Sequence, residues 1–286
     1  MDENIQLGKT DLLVSRHGFG AARIGMDITS SDVNVLLATL VDSGITFIDT
    51  ADCYPNSEKQ IGRFLKDHKN EFVVATKCGC INSNEEGLAY SPEIIRKNIE
   101  RSLYRLGVDC LDLVYLHTCS AAVLRSGEAI DCLVRERDKG KVRFIGYSGD
   151  GEDALCAVGI GELDVLQVTF NILDQTALTE VLPAAERSGI GVVAKRPIAN
   201  AKLLSPESPY FYKATYWDPA RLVFSEEGVW EDPLGCALRF TLSHPVISSA
   251  IVGTTNTDHI LANAVRAKLG PLPSHILQSI YRLKAL

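Results

Sequence analysis

Four residues carry the chemistry that can be read in this chain: Asp49, Tyr54, Lys77 and His117. Each alone has a plain explanation. An aspartate after a strand is usually a turn former, a tyrosine a packing residue, a lysine a surface charge, and a histidine a hydrogen-bonded core group. Their joint placement is the signal. Asp49, Lys77 and His117 directly follow three successive apolar runs, and Tyr54 lies five residues beyond the first of them. A phenol with a pKa of about 10 is a poor acid at neutral pH. A neighbouring ammonium favours the phenolate and lowers that value. On this reading Lys77 activates Tyr54, Asp49 holds Lys77 in place and protonated, and His117 orients a carbonyl or shares the proton. Tyr54 is then a general acid toward a carbonyl oxygen and a base in the reverse direction. The carbon must also receive a hydride. No side chain supplies one, so the set requires a cofactor.

These residues need a frame that brings distant strand ends together. Apolar runs with strand composition occupy 45–48, 72–76, 111–116, 142–145, 163–168, 191–194 and 246–252, with a weaker, glycine-rich run at 17–21. Most are continuous rather than alternating, as in strands covered on both faces. Helical patterns fall between and after them at 31–43, 57–68, 92–106, 122–139, 150–158, 176–188, 230–243 and 258–267. The clearest opens on Ser91, a good N-cap, and on Pro92, which suits a first turn. Ile95, Ile99, Leu103 and Leu106 give that helix one apolar face, and Gly107 can end it.

Eight strand signals alternating with eight helix signals predict an α/β fold, a closed parallel (β/α)8 TIM barrel. A doubly wound open sheet is the runner-up. It is weakened because Gly18-Phe19-Gly20-Ala21-Ala22-Arg23 begins like G-x-G-x-x-G and lacks the last glycine. Barrels of this kind place their chemistry at the C-terminal strand ends. Continuing round that rim, Ser148 ends the fifth strand, Gln167 lies in the sixth, Lys195 and Arg196 follow the seventh, and Gly253-Thr254-Thr255 follow the eighth. Residues 1–14 are expected to form a hairpin plugging the barrel bottom, 271–286 an outer amphipathic helix, and 1–286 one domain. The segment 198–229 holds Tyr210, Phe211, Tyr212, Tyr216 and Trp217. It is long enough to be a lid over the substrate mouth, or it packs against the barrel.

Composition narrows the partners. Hydrophobic residues make up 46% and charged residues 23%, with a formal net charge of −7. That balance argues against a general nucleic-acid or membrane-surface partner and leaves room for a local basic pocket. No apolar run reaches the roughly 20 residues of a membrane span, and Met1 to Thr10 lacks a secretory apolar segment. A cytoplasmic protein is therefore expected. The eight cysteines show no Cys-x2-Cys pairs, so no metal site is expected. Cys53, Cys78 and Cys119 stand beside or near Tyr54, Lys77 and His117. They read as small buried fillers, with mild oxidant sensitivity as the sharper alternative.

The motifs resemble the aldo-keto reductase family. The resemblance rests on Gly44-Ile45-Thr46-Phe47-Ile48-Asp49-Thr50-Ala51, followed by Tyr54, Ser57-Glu58 and Gly62. Val74-Ala75-Thr76-Lys77 and Leu113-Val114-Tyr115-Leu116-His117 continue it. So do Ser102-Leu103-x-x-Leu106-Gly107-x-Asp109-x-Leu111-Asp112 and Gly140-Lys141-Val142-Arg143-x-Ile145-Gly146. It implies an extended NADP(H), or less often NAD(H), across the strand ends, a small-molecule carbonyl or alcohol substrate, and Asp49, Tyr54, Lys77 and His117 as a catalytic tetrad. It places Gly20 and Ala21 against the cofactor through backbone, and Asp49 among its neighbours. Ser148 and Gln167 fall on the nicotinamide carboxamide, and Lys195, Arg196 and Pro197 beside the nicotinamide and pyrophosphate. Gly253, Thr254, Thr255, His259 and Asn263 fall around the adenosine end.

Several positions depart from the family's common pattern. Gly149-Asp150 follow Ser148 where Asn is frequent, and Lys195 stands where an aromatic often stacks on the nicotinamide. His259 and Ala262 stand where an arginine and an acidic residue are frequent. Arginine grips a 2′-phosphate through paired hydrogen bonds, so its replacement leaves the choice between NADP and NAD open. Two further readings are a nucleotide-sensing regulatory protein that keeps the tetrad, and a barrel lyase or aldolase with a Schiff base on Lys77. Asp49 near Lys77 speaks against the latter, because a nucleophilic lysine needs a lowered pKa.

Overall fold

Strands buried on both faces need helices outside and side chains inside, and the computed structural model, which describes residues 4–26, 28–68, 70–82, 85–204 and 231–282, meets both needs. A hairpin comes first, β1 (Ile5–Gln6) antiparallel to β2 (Leu13–Val14). Eight parallel strands follow: β3 (His17–Gly20), β4 (Phe47–Asp49), β5 (Val73–Cys78), β6 (Leu111–His117), β7 (Val142–Ser148), β8 (Val165–Thr169), β9 (Gly191–Lys195) and β10 (Ile247–Val252). They close in chain order, and Ala250 of β10 pairs with His17 of β3 to complete the ring. The fold is the expected (β/α)8 barrel.

The outer layer is α1 (Ser30–Asp42), α2 (Ser57–Leu65), α3 (Pro92–Leu106), α4 (Ala121–Ser126), α5 (Glu128–Asp138), α6 (Gly151–Ile160), α7 (Val181–Ser188), α8 (Pro233–Ser243), α9 (Thr257–Lys268) and α10 (Ser274–Arg282). Two helices differ from expectation. The single helix over 122–139 is broken into α4 and α5 by Gly127, which adopts a left-handed φ of 79°. The helix over 176–188 is a 3-10 turn, Thr176–Leu178, followed by α7. Pro183 explains the restart: its ring excludes a helical carbonyl four residues earlier, so it fits only a first turn.

Alternation along each strand separates two cores. Ile48, Val74, Val114, Ile145 and Leu166 face outward against Leu36, Leu40, Ile95, Ile99 and Leu133 of the helices. Phe47, Ala75, Leu113, Tyr115, Val165 and Val193 face inward. Leu7, Leu12 and Val14 of the hairpin join that inner cluster. The plug is tight: a Cβ on Gly8 would stand 2.2 Å from the Gly191 nitrogen at the start of β9. Residue 49 lies two positions beyond inward-facing Phe47, and 77 two beyond Ala75, so both side chains belong to the barrel interior at its other end. Among the described residues no helix is long and apolar enough to cross a membrane. The aromatics at 210–217 lie outside the described residues.

Candidate active site

Strands β4 to β9 run one to three residues past their apolar stretches, so the ionisable residues sit inside the ladders and inherit their rigidity. Asp49 pairs in register with Ala75, Lys77 with Tyr115, and His117 with Ser148. Lys77 Nζ donates to Asp49 Oδ2 at 2.6 Å and to the Thr50 carbonyl at 2.7 Å. The other Asp49 oxygen accepts from Gln167 Nε2 at 2.7 Å, and Ser148 Oγ donates to Gln167 Oε1 at 2.8 Å. A continuous polar chain thus crosses the barrel mouth from β7 to β5. Asp49 is its acceptor hub, and both carboxylate oxygens are engaged.

Tyr54 comes from the β4–α2 connection, which is pinned from three sides. Thr50 Oγ1 and Ser57 Oγ share a hydrogen bond of 2.8 Å, and Ser57 Oγ also reaches the Ala21 carbonyl at 2.8 Å. Buried Asp52 is held by Arg101 at 2.5 Å and by Arg105 at 3.1 Å. Buried Glu58 takes Arg105 at 3.2 Å and the Thr76 hydroxyl at 2.7 Å. Tyr54 itself is half-buried. Its ring lies edge-to-face with His117, centroids 6.0 Å apart, and Lys77 Nζ lies 4.9 Å from its centroid. The four residues of the expected tetrad therefore meet at one place.

The electrostatics differ from expectation at one point. Lys77 was expected to bring the Tyr54 phenol below its ordinary value. Burial instead pushes it up, more than the Lys77 charge pulls it down, and Asp49 adds to the rise. The phenol is a proton-loaded acid at neutral pH. Burial opposes the Lys77 charge, yet Asp49 and Tyr54 outweigh it and hold the ammonium above its ordinary value. A protonated lysine with both neighbours satisfied is a poor Schiff-base nucleophile.

A cavity of about 590 Å³ opens beside Tyr54. Of the residues assigned to a cofactor, Gly20, Asp49, Gln167, Lys195, Arg196, Pro197, Gly253, Thr254, His259 and Asn263 line it. Three do not. The Ala21 nitrogen already donates to the Asp49 carbonyl at 2.8 Å, and Ala22 and Arg23 line the wall beside Gly20 instead. Ser148 is buried and bonded to Gln167. Thr255 is half-buried outside the lining. Lys77 and His117 lie against Tyr54 rather than in this wall. The floor is bare backbone where Gly20 meets Gly253, since a Cβ on Gly253 would come within 2.9 Å of the Gly20 oxygen. Lys195 pairs with Asp150 at 3.1 Å, and Arg196 donates to Thr169 Oγ1 at 2.8 Å.

Arg266 was missed in the sequence and also lines the cavity. It is held by Asp232 at 2.6 and 2.9 Å and donates to Asn263 Oδ1 at 3.0 Å. The signal was helical spacing: His259, Asn263 and Arg266 recur at i, i+4 and i+7 on α9.

A second set of side chains gathers at the same place, and Cys80 is the member that the sequence did not place there. Cys53 Sγ lies 3.5 Å and Cys80 Sγ 3.4 Å from His117 Nδ1. Cys78 and Cys119, expected near the site, are buried in the outer core. For Cys78 strand alternation decides this, since inward Lys77 forces it outward. The Cys53 hydrogen bond brings the Cys80 thiol down to about 7, against the opposing effect of burial, while the same bond pushes the Cys53 thiol up.

Comparison with known proteins identifies the family. A family model described as Aldo/keto reductase family matches residues 17–284. The chain is 31% identical over 279 residues to L-galactose dehydrogenase of Arabidopsis thaliana, covering 90% of this chain and 85% of that protein. It is 32% identical over 224 residues to NADH-specific methylglyoxal reductase of Escherichia coli (strain K12), covering 70% and 69%. Among solved structures, the aldo-keto reductase AKR11C1 from Bacillus halodurans in its holo form superposes with a TM-score of 0.87 at 25% identity, covering 99% of this chain and 96% of that one. The resemblance read in the motifs holds across almost the whole barrel, and the chain belongs to the aldo/keto reductase family, an oxidoreductase of carbonyl and alcohol substrates.

Proposed function

We propose that the protein interconverts a carbonyl and an alcohol with NADP(H) or NAD(H), using Tyr54 as general acid in reduction and general base in oxidation. The observation that carries the reading is the buried Lys77–Asp49 pair beside Tyr54, opening on a groove with Lys195 and Arg196 in its wall. The groove fits a dinucleotide. Its glycine floor leaves backbone bare for close approach, and its cations suit a pyrophosphate. Gln167, backed by Ser148, would take the carboxamide. Lys195, Arg196 and Pro197 would hold the nicotinamide–pyrophosphate segment. Gly253, Thr254, His259 and Asn263 would hold the adenosine end, with Gly20 contributing backbone and Asp49 closing the nicotinamide side. A nicotinamide dinucleotide, when bound, supplies the hydride that no side chain can.

The chain's own groups do the rest. His117 hydrogen-bonds the substrate carbonyl and aims its oxygen at the Tyr54 hydroxyl. Tyr54 passes its proton to that oxygen as negative charge develops there. Lys77 steadies the phenolate left behind, and Asp49 keeps Lys77 charged and in place. Solvent returns the proton to Tyr54. In oxidation the phenolate takes the alcohol proton.

The names of the relatives bring small aldehydes and aldoses into the substrate panel. The test is the absorbance change of NADPH and NADH against that panel, with Tyr54→Phe alongside. The variant is expected to lose about 10²–10⁴ in kcat while its dinucleotide Kd is unchanged. Equal turnover in the variant removes Tyr54 from the reaction.

A further inference from the structure

We propose that Cys53, Cys80 and His117 form a tetrahedral binding site for a thiophilic divalent cation of the zinc class. The inference stands on three donor atoms and does not depend on the reaction proposed above. The two sulfurs and His117 Nδ1 all lie within 4.8 Å of one another. Zinc–sulfur bonds of about 2.3 Å and a zinc–nitrogen bond of about 2.0 Å, at the tetrahedral angle, put sulfur and nitrogen about 3.5 Å apart. The observed separations are 3.5 Å for Cys53 and 3.4 Å for Cys80. Two thiols alone would suit a disulfide. An imidazole nitrogen nearly equidistant from both suits a metal.

The donors are held by the fold rather than left on free loops. Cys53 and Cys80 are drawn together by a hydrogen bond of 2.7 Å from Asn82 Nδ2 to Asp52 Oδ2, the residue before Cys53. The Gly79 nitrogen donates to Asn98 Oδ1 at 2.7 Å, and Gly79 itself takes a φ of +101°. A Cβ there would stand 2.3 Å from the Tyr90 ring, so only glycine lets the chain turn under that ring and carry Cys80 forward. Tyr90 in turn donates its hydroxyl to the His117 carbonyl at 2.7 Å, fixing the end of β6. All three ligand residues are half-buried, which leaves a path for the ion.

Charge is also compatible. A divalent cation bound by two thiolates and a neutral imidazole has no net charge, so it adds no repulsion to the nearby Lys77 ammonium. Binding forms two sulfur–metal bonds and one nitrogen–metal bond, releases the two thiol protons to solvent, and changes no oxidation state. Three protein ligands leave the fourth position for water or an incoming oxygen. With Nδ1 on the metal, the ring proton of His117 is confined to Nε2.

Cobalt(II) and zinc(II), added to protein reduced with a phosphine, are the probes. Cobalt should saturate at one equivalent, with an intense thiolate-to-cobalt charge-transfer band and the visible absorption of a tetrahedral ion, and zinc should displace it. Cys53→Ser and Cys80→Ser should each weaken binding by at least the about 10–100-fold that loss of a mere outer-shell partner costs, while Cys110→Ser leaves it unchanged. X-ray absorption of the zinc-loaded wild type should show two sulfurs at about 2.3 Å and a nitrogen at about 2.0 Å, a readout that needs no variant. A weak octahedral cobalt spectrum, a tetrahedral spectrum that survives Cys80→Ser, or a zinc shell of oxygen and nitrogen alone would overturn the site. None of these measurements uses turnover, so they fail or succeed separately from the proposed reaction.

Discussion

Lys77 Nζ lies 2.6 Å from Asp49 Oδ2, with the two side chains only 2% and 4% exposed. The pair matters more for what its loss would leave than for its net worth, because a lone charge in that interior has no water to turn to. Asp49→Asn tests this. An amide in place of the carboxylate presents an NH2 to either Lys77 or Gln167, both of which already donate to residue 49. The variant is expected to lose about 3–5 kcal/mol in urea unfolding, with carbonyl reduction falling alongside. A stability change below about 1 kcal/mol would mean that Asp49 does not neutralise Lys77.

The raised Tyr54 value sets the pH dependence. The phenol keeps its proton through neutral pH, and Lys77, also raised, stays charged over the same range. In the proposed mechanism reduction needs the proton on Tyr54. Its kcat/KM should be flat through neutral pH and fall only as pH rises beyond about 10. Oxidation needs the phenolate and should rise across that same alkaline range. Profiles in both directions check the sign. A reduction limb that falls between about pH 6 and 7 would move the acid role to an imidazole.

Much of this was legible in the chain because the signals were local. Ser91, Pro92 and Gly107 mark α3 at the bounds observed, and Asp49, Lys77 and His117 show themselves as ionisable groups ending apolar runs. What was not legible depends on three-dimensional surroundings. The direction of the Tyr54 shift follows from burial, which no spacing encodes. Cys53, Cys80 and His117 come from three separate strand ends, so a search for ligands close in sequence passes over them. Gly127 breaks a helical pattern only because its left-handed conformation is used, whereas glycine is tolerated within many helices. Ala21 and Ser148 sit at the right strand ends but lie outside the cavity wall, which depends on the rotation of each residue about its strand.

Lys195 and Arg196 share Asp150, at 3.1 and 3.8 Å, at the mouth of the groove. If this pair receives a pyrophosphate, Arg196→Ala should weaken dinucleotide binding by about 10-fold, the worth of one charge-assisted hydrogen bond. The dependence of Kd on ionic strength should shrink with it. Fluorescence titration of NADPH and NADH at two salt concentrations measures both. An unchanged Kd and an unchanged salt dependence would place the phosphates elsewhere.

His17, at the start of β3, is buried with both ring nitrogens unpartnered, and burial lowers its pKa to about 4. Unfolding returns it to its ordinary value of about 6.5. Between those two values the unfolded chain binds the proton and the folded one does not, so stability is present above the unfolded value and is lost as pH falls toward the folded one. His17→Leu removes the titration and the unmet nitrogens together. Going from pH 7 to 4.5, the wild type should lose about 2 kcal/mol more than the variant in urea unfolding. The comparison cancels the carboxylates that titrate in both proteins. Equal losses in the two would show that the imidazole takes up a proton in the folded barrel as readily as in the open chain.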